Sequence, residues 1–188
     1  VVAAITATQT GTASFATWSV APFNFPSGGS WTITATAVDL ALNGDSIYPG
    51  FAAIAEDFGS TPSGELANYY LGAIYMQKGE YQLALDHYQE ADLDDDVLRV
   101  MAVGNQGDAL VELDQPEEAV KRFEQAAGMA KNEFTTPMYL MKAGILHQQA
   151  GKWDDARKAF ERIVKDFPNS PETMQARKYA GHAEAMGG

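Results

Sequence analysis

Three histidines, His87, His147 and His182, are the residues of this sequence best suited to moving protons or holding a metal near neutral pH. Their spacing serves neither purpose. None belongs to an HExxH-like pair, and the chain has no cysteine to complete a zinc site or act as a nucleophile. The run Asp92-Leu93-Asp94-Asp95-Asp96 has the carboxylates of a calcium loop but not its glycine or closing glutamate. An aspartate there is better suited to capping a following helix. Gly59–Gly64, reading GSTPSG, has the small residues of a nucleophile elbow or a phosphate loop. No strand precedes it and no Gly-Lys-Ser/Thr follows, so it reads as a turn and a helix start. We therefore expect no catalytic residue, no metal site and no cofactor.

The elements that would position any site begin with the charge pattern. The 188 residues carry a formal net charge of -12, which argues against nucleic acid and against anionic lipid headgroups as partners. From Asp39 to Ala119 there are 17 acids and 2 bases, Lys78 and Arg99, whereas Val120 onward has 8 acids and 11 bases. One part of the molecule is thus acidic and the other mildly basic, an asymmetry that orients partners. The chain opens on Val1 without a methionine, so a processing boundary is expected there, and its first residues lack the basic stretch of a secretory signal.

Residues 1–38 contain no charged side chain and are rich in Thr and Ala. Ile5–Thr10 and Gly28–Val38 alternate apolar and hydroxyl residues with period two, and Ala21–Gly29 carries strong turn signals. This extension reads as a hairpin or a pair of strands. Period two and β-branching disfavour a helix across Trp31–Val38. Too many hydroxyl residues stand in Val1–Val20 for a transmembrane helix. Composition changes near Val38, which divides the chain into the extension 1–38 and a helical domain 39–188. Asn43–Ser46 is expected to be a turn and Pro49 an early helix residue.

The helical part repeats itself. Phe51–Gly72 and Phe160–Gly181 share Phe, Ile, Asp, Phe, Pro, Ala, Tyr and Gly at an offset of 109. Gly72, Gly107, Gly144 and Gly181 fall 35, 37 and 37 residues apart. Ala84, Ala119 and Ala156 follow the first three, each with an aromatic four residues on: Tyr88, Phe123 and Phe160. Small residues at fixed places mark close helix crossings, with the aromatic filling the adjoining gap between repeats. The spacing is that of the tetratricopeptide repeat, a helix-turn-helix of about 34 residues. In the middle copy Asp114 stands in place of the turn glycine. The expected fold is an all-α solenoid: a leading half-repeat helix, about Pro49–Phe58, three helix pairs across about Ser63–Asp92, Asp96–Ala130 and Thr136–Phe167, and a capping helix from Pro171 to about Met186. An irregular helical bundle is the alternative.

The stretches ALNGDSIYPGF, TPSGELANYYLGAIYMQKGEYQLAL and NEFTTPMYLMKAGILHQQAGKW resemble the membrane-tethered tetratricopeptide proteins of Bacteroidetes-type bacteria, similar to the YfgM family associated with the Sec translocon. The resemblance covers Ala41 to Met186. It implies a single-span bacterial inner-membrane protein whose array faces the periplasm and contacts translocon components, chaperones or emerging clients. It also implies an N-terminal transmembrane anchor, from which residues 1–38 depart.

A solenoid of this kind presents a groove lined by the first helix of each repeat. The register places Leu66, Tyr69, Ala73, Met76 and Gln77 there from the first repeat. The second contributes Met101, Asp108, Val111 and Glu112, and the third Met138, Met141, Ile145, Gln148 and Gln149. Methionine adapts to varied apolar partners. Asn105 and Lys142 have the types of a clamp for a terminal carboxylate, but Tyr69, Ala73 and Met138 stand where further Lys or Asn would be needed, so no such clamp is expected. The groove is open to a partner or partly filled by the chain itself. The expected function is a non-catalytic protein–protein interaction module, a scaffold or chaperone-like component on the periplasmic side. The alternative is a permanent structural accessory subunit of a large membrane complex. The alternative location is soluble, in the cytoplasm or periplasm.

Overall fold

The computed structural model describes residues 37–45 and 47–187, together with the backbone of 17–19, 23–24, 30–31 and 34–36. Within the extension, β1 (Thr17–Ser19) pairs antiparallel with β4 (Thr34–Thr36), and β2 (Phe23–Asn24) with β3 (Ser30–Trp31). The registers are Thr17 opposite Thr36 and Phe23 opposite Trp31. The alternating stretch Ile5–Thr10 lies outside the described residues. Helix begins at Ala37 with α1 (Ala37–Asn43), which the sequence reading missed. It buries Leu42 against Leu71 and Ile74.

Pro49 is not helical. Asp45 Oδ1 accepts hydrogen bonds from the Ile47 and Tyr48 N–H groups at 2.7 and 2.8 Å, and Gly44 turns with φ 71°. That turn holds Pro49 in a bridge to Gly44 and leaves Gly50 as the N-cap of α2 (Phe51–Phe58). The remaining helices are α3 (Pro62–Lys78), α4 (Tyr81–Glu90), α5 (Asp96–Glu112), α6 (Pro116–Met129), α7 (Thr135–Gln149), α8 (Trp153–Asp166) and α9 (Thr173–Gly187). The two suspicious motifs are helix starts. Thr61 Oγ1 accepts from Gly64 N ahead of α3, with Pro62 in the first turn where a missing N–H costs nothing. Asp95 accepts from Val97 and Leu98 N at 2.9 and 2.8 Å ahead of α5. The turns within the three repeats all pass through a left-handed residue: Gly79 (φ 75°), Asp114 (φ 57°) and Gly151 (φ 70°). Aspartate is among the few non-glycine residues that enter this region at modest cost, so the middle repeat keeps its geometry. α9 starts two residues later than expected. Pro171 stays in the turn, and the Thr173 hydroxyl donates to the Phe167 carbonyl at 2.6 Å.

Each helix packs on its neighbours in the chain, and the odd-numbered helices also touch, α1 with α3, α5 with α7 and α7 with α9. This is a solenoid of antiparallel pairs. Its interior is set by the glycine–aromatic series. A Cβ on Gly72, Gly107 or Gly144 would come within 2.5–2.6 Å of the ring of Tyr88, Phe123 or Phe160 respectively. Each ring therefore rests on the glycine of its own repeat, while Ala84, Ala119 and Ala156 are fully buried alongside. The rings reach the next repeat as well: Phe123 stacks with Tyr139 at 6.1 Å and Phe160 meets Tyr179 at 5.4 Å. Gly181 continues the series, yet nothing lies within 4 Å of a Cβ built there. Among the described residues no helix is long and apolar enough to cross a membrane.

A candidate peptide-binding groove

The residues that the register assigns to the groove lie on α3, α5 and α7, at different depths. Tyr69 and Met141 are buried, 8% and 9% exposed, and form its floor. Leu66, Ala73, Met76, Met101, Asp108, Met138, Ile145 and Gln148 are half-buried, and Gln77, Val111, Glu112 and Gln149 are exposed. Met76 bridges two of the core clusters, with Met101 anchored in one and Met138 in the other. Each of the three repeats thus contributes one half-exposed thioether beside the core. Tyr139 closes part of the face. Its ring sits on Gly104, where a Cβ would lie 2.0 Å from Cζ, and it is 1% exposed.

The polar groups here are mostly spent on each other. Lys142 Nζ lies 2.7 Å from both carboxylate oxygens of Asp108, thirty-four residues away in the previous repeat. The same ammonium stands over the Phe123 and Tyr139 rings at 5.4 and 5.7 Å. A neutralised, multiply held lysine is a poor receptor for a carboxylate. Burial raises the phenols of Tyr69 and Tyr88 above their ordinary range, opposed by the neighbouring Asn105 side chain. Burial does the same to Tyr139. These groups stay neutral near pH 7 and offer no nucleophile.

The glycine register runs on into α9. Gln175, Lys178, His182, Ala185 and Met186 stand at the offsets from Gly181 that Met138, Met141, Ile145, Gln148 and Gln149 occupy around Gly144, and all are exposed. The sequence reading treated α9 only as a cap. The fixed glycine spacing was the signal that would have extended the register.

Each histidine has a structural setting. His87 donates Nδ1–H to Asn68 Oδ1 at 2.9 Å and stacks on Tyr75 at 5.2 Å. Buried His147 places Nε2 2.9 Å from Glu124 Oε1. His182 meets Trp153 edge-on at 5.8 Å. Among the described residues no group of three or more His, Cys, Asp or Glu could hold a metal ion. A cleft of about 510 Å³ opens between α6 and α8 over α7, lined by Glu124, His147, Asp155, Lys158 and Arg162. Its cations Lys158 and Arg162 are paired with Asp155 and Asp166, and His147 already contacts Glu124.

Burial lowers the His87 pKa from its ordinary 6.5, opposed by the nearby carboxylates of Glu90 and Asp86. The unfolded chain then takes up this proton first, so His87 contributes stability above about pH 6.5 that is lost as pH falls towards its folded pKa. Thermal melts between pH 7.5 and 5 should show a steeper loss for the native chain than for His87→Gln. Equal slopes would remove His87 from the acid response.

Sequence models of the tetratricopeptide repeat match residues 51–96 and 139–170. The fold is a tetratricopeptide-repeat solenoid. Among solved structures, two of MamA are similar with a TM-score of 0.56 each, at 19% and 20% identity. They cover 74% and 73% of this chain and 72% and 77% of theirs. The structure of PcrH in complex with the chaperone binding region of PopB is similar with a TM-score of 0.50 at 24% identity, covering 67% of this chain and 96% of that one. At these identities the likeness is one of fold. No curated protein matches the chain. The tetratricopeptide-repeat fold is that of an interaction scaffold that binds other proteins.

Proposed function

We propose that this tetratricopeptide-repeat chain holds an apolar segment of a partner protein in the groove of α3, α5 and α7, without catalysing a reaction on it. The observation that carries this reading is that α3, α5 and α7 each hold a half-exposed methionine, Met76, Met101 and Met138, with Val111 and Ile145 also reaching solvent, while Lys142 on α7 is already matched by Asp108. Such a surface rewards apolar contact and adapts its shape, and it offers little to a charged terminus. The structure of PcrH with the chaperone binding region of PopB supports the mode, since there a similar fold meets a region of another protein. We place the module on the periplasmic side of a bacterial inner membrane, as a scaffold or chaperone-like component near translocon components or unfolded clients. That placement rests on the resemblance from Ala41 to Met186. A second reading, a permanent accessory subunit of a membrane complex, is favoured by the acidic stretch from Asp39 to Ala119, which could dock outside the groove.

The test is retention of partners from detergent extracts by the purified full chain. Met101→Glu with Met138→Glu puts charge on half-exposed positions and should leave the helical signal intact. The retained partner should fall by about tenfold or more. Met141→Glu is unsuitable, because a buried carboxylate there would unfold the repeat. Unchanged retention by the double variant would overturn the groove reading. Stoichiometric, salt-insensitive co-purification with one complex would favour the accessory subunit.

A further inference from the structure

The two ends of the solenoid differ from its middle and from each other. At the first end, α2 reads FAAIAEDF, packs Phe51, Ala52 and Ala55 towards Leu71 and Ile74 of α3 and has no buried residue, with only the short α1 preceding it. Phe58 is 54% exposed, and Ile47 and Tyr48 in the turn before α2 are 75% and 71% exposed. Glu56 and Asp57 stand exposed near the end of α2, Glu56 on the rim of a cleft shared with α3 and α4, and neither is in an ion pair among the described residues. At the other end, α9 leaves Met174 85% and Met186 55% exposed, with open space over Gly181. Arg177 and Lys178 are exposed on the same helix and likewise in no ion pair among the described residues. An apolar end fringed with acids thus faces away from an apolar end fringed with bases.

We propose that these ends meet: the outer face of α9 of one copy docks on α2 of the next, Arg177 and Lys178 against Glu56 and Asp57. The stacking continues the solenoid from chain to chain, as its own repeats stack within one. Symmetric pairing is disfavoured at both ends. Two α9 faces would set four bases together, and two α2 faces four acids, with like charges repelling in each case. A head-to-tail contact of this kind is heterologous, so it grows into a ring or an open filament rather than stopping at a dimer.

Sedimentation velocity of the full chain tests this. The average mass should rise with concentration at low salt and fall at high salt, where the charges are screened. Arg177→Glu with Lys178→Glu, and separately Glu56→Lys with Asp57→Lys, should each weaken self-association by about tenfold or more. All four positions are exposed, and the folded state of each variant is checked by its melting transition. An equimolar mixture of the two variants should associate again, because each then offers the charge the other lacks. The chain has no native cysteine, so Asp57→Cys and Lys178→Cys made in separate copies should form a disulfide in the mixture. A dimer joined through two copies of Lys178→Cys would overturn the proposal. A chain monomeric at every concentration would give the α2 face to another occupant, residues 1–36 or a different protein, and would overturn it too.

Discussion

Phe160→Ala is expected to destabilise the array by about 3–5 kcal/mol, the usual cost of emptying a fully buried phenylalanine site. Phe160 is 0% exposed, rests on Gly144 and reaches Tyr179 of α9, so its loss opens a cavity that also loosens the last helix. The complementary change, Gly144→Ala, inserts a methyl 2.5 Å from the Phe160 ring and should cost about 1–3 kcal/mol by overpacking. In the double variant the methyl enters space the ring has vacated, so the two costs should fall short of additivity by about 1 kcal/mol or more. Gly181→Ala is the control. The same register position is open there, and an exposed helical glycine replaced by alanine should gain about 0.4–1 kcal/mol. Urea or thermal unfolding reads all four. Additive costs for Gly144 and Phe160 would deny the seat.

Gly104→Val should be nearly as damaging, by a different route. A side chain at Gly104 would overlap Cζ, Cε1 and Oη of Tyr139 at 2.0–2.3 Å, and the ring has no room to retreat, being 1% exposed and stacked on Phe123. Expelling it should cost about 3 kcal/mol, concentrated on the contact between α5 and α7. Solenoids are stabilised by neighbour-to-neighbour interfaces, so a lesion at one of them uncouples what lies on either side. Hydrogen exchange should therefore show α3–α6 and α7–α9 opening at different denaturant concentrations in the variant and together in the native chain. A uniform loss of protection along the whole array would refute this localisation.

The repeat architecture was legible because steric rules act on residue size. Gly72, Gly107, Gly144, their rings and Ala84, Ala119 and Ala156 keep their spacing because nothing larger fits. Asp114 shows how a mismatched letter can keep the shape: φ 57° is what the turn needs, and aspartate can supply it. The misses have equally local causes. α1 is seven residues long with Leu42 as its buried anchor, too short for a periodic signal. Pro49 was misplaced because the Asp45 turn outranks the preference of proline for a first helical turn. In the groove, register fixed which helix face each residue occupies but not its depth. The seat of Tyr139 on Gly104 and the pairing of Asp108 with Lys142 depend on neighbours 35 and 34 residues away, and the burial of Tyr69 and Met141 on packing that the register does not specify.

The rings follow their glycines at one fixed interval, from Gly72 to Tyr88, Gly107 to Phe123 and Gly144 to Phe160, whereas the step from each ring to the next glycine changes length. The variation in repeat length therefore lies between each ring and the next glycine, chiefly in how far the second helix runs on, two residues past Tyr88 but six past Phe123 and Phe160, before the connections 91–95, 130–134 and 167–172. Those are the places where foreign sequence, a reporter or an added loop, can be spliced into the chain without disturbing the seats. A single residue added between a glycine and its ring would rotate that helix by about 100° and turn the ring out to water.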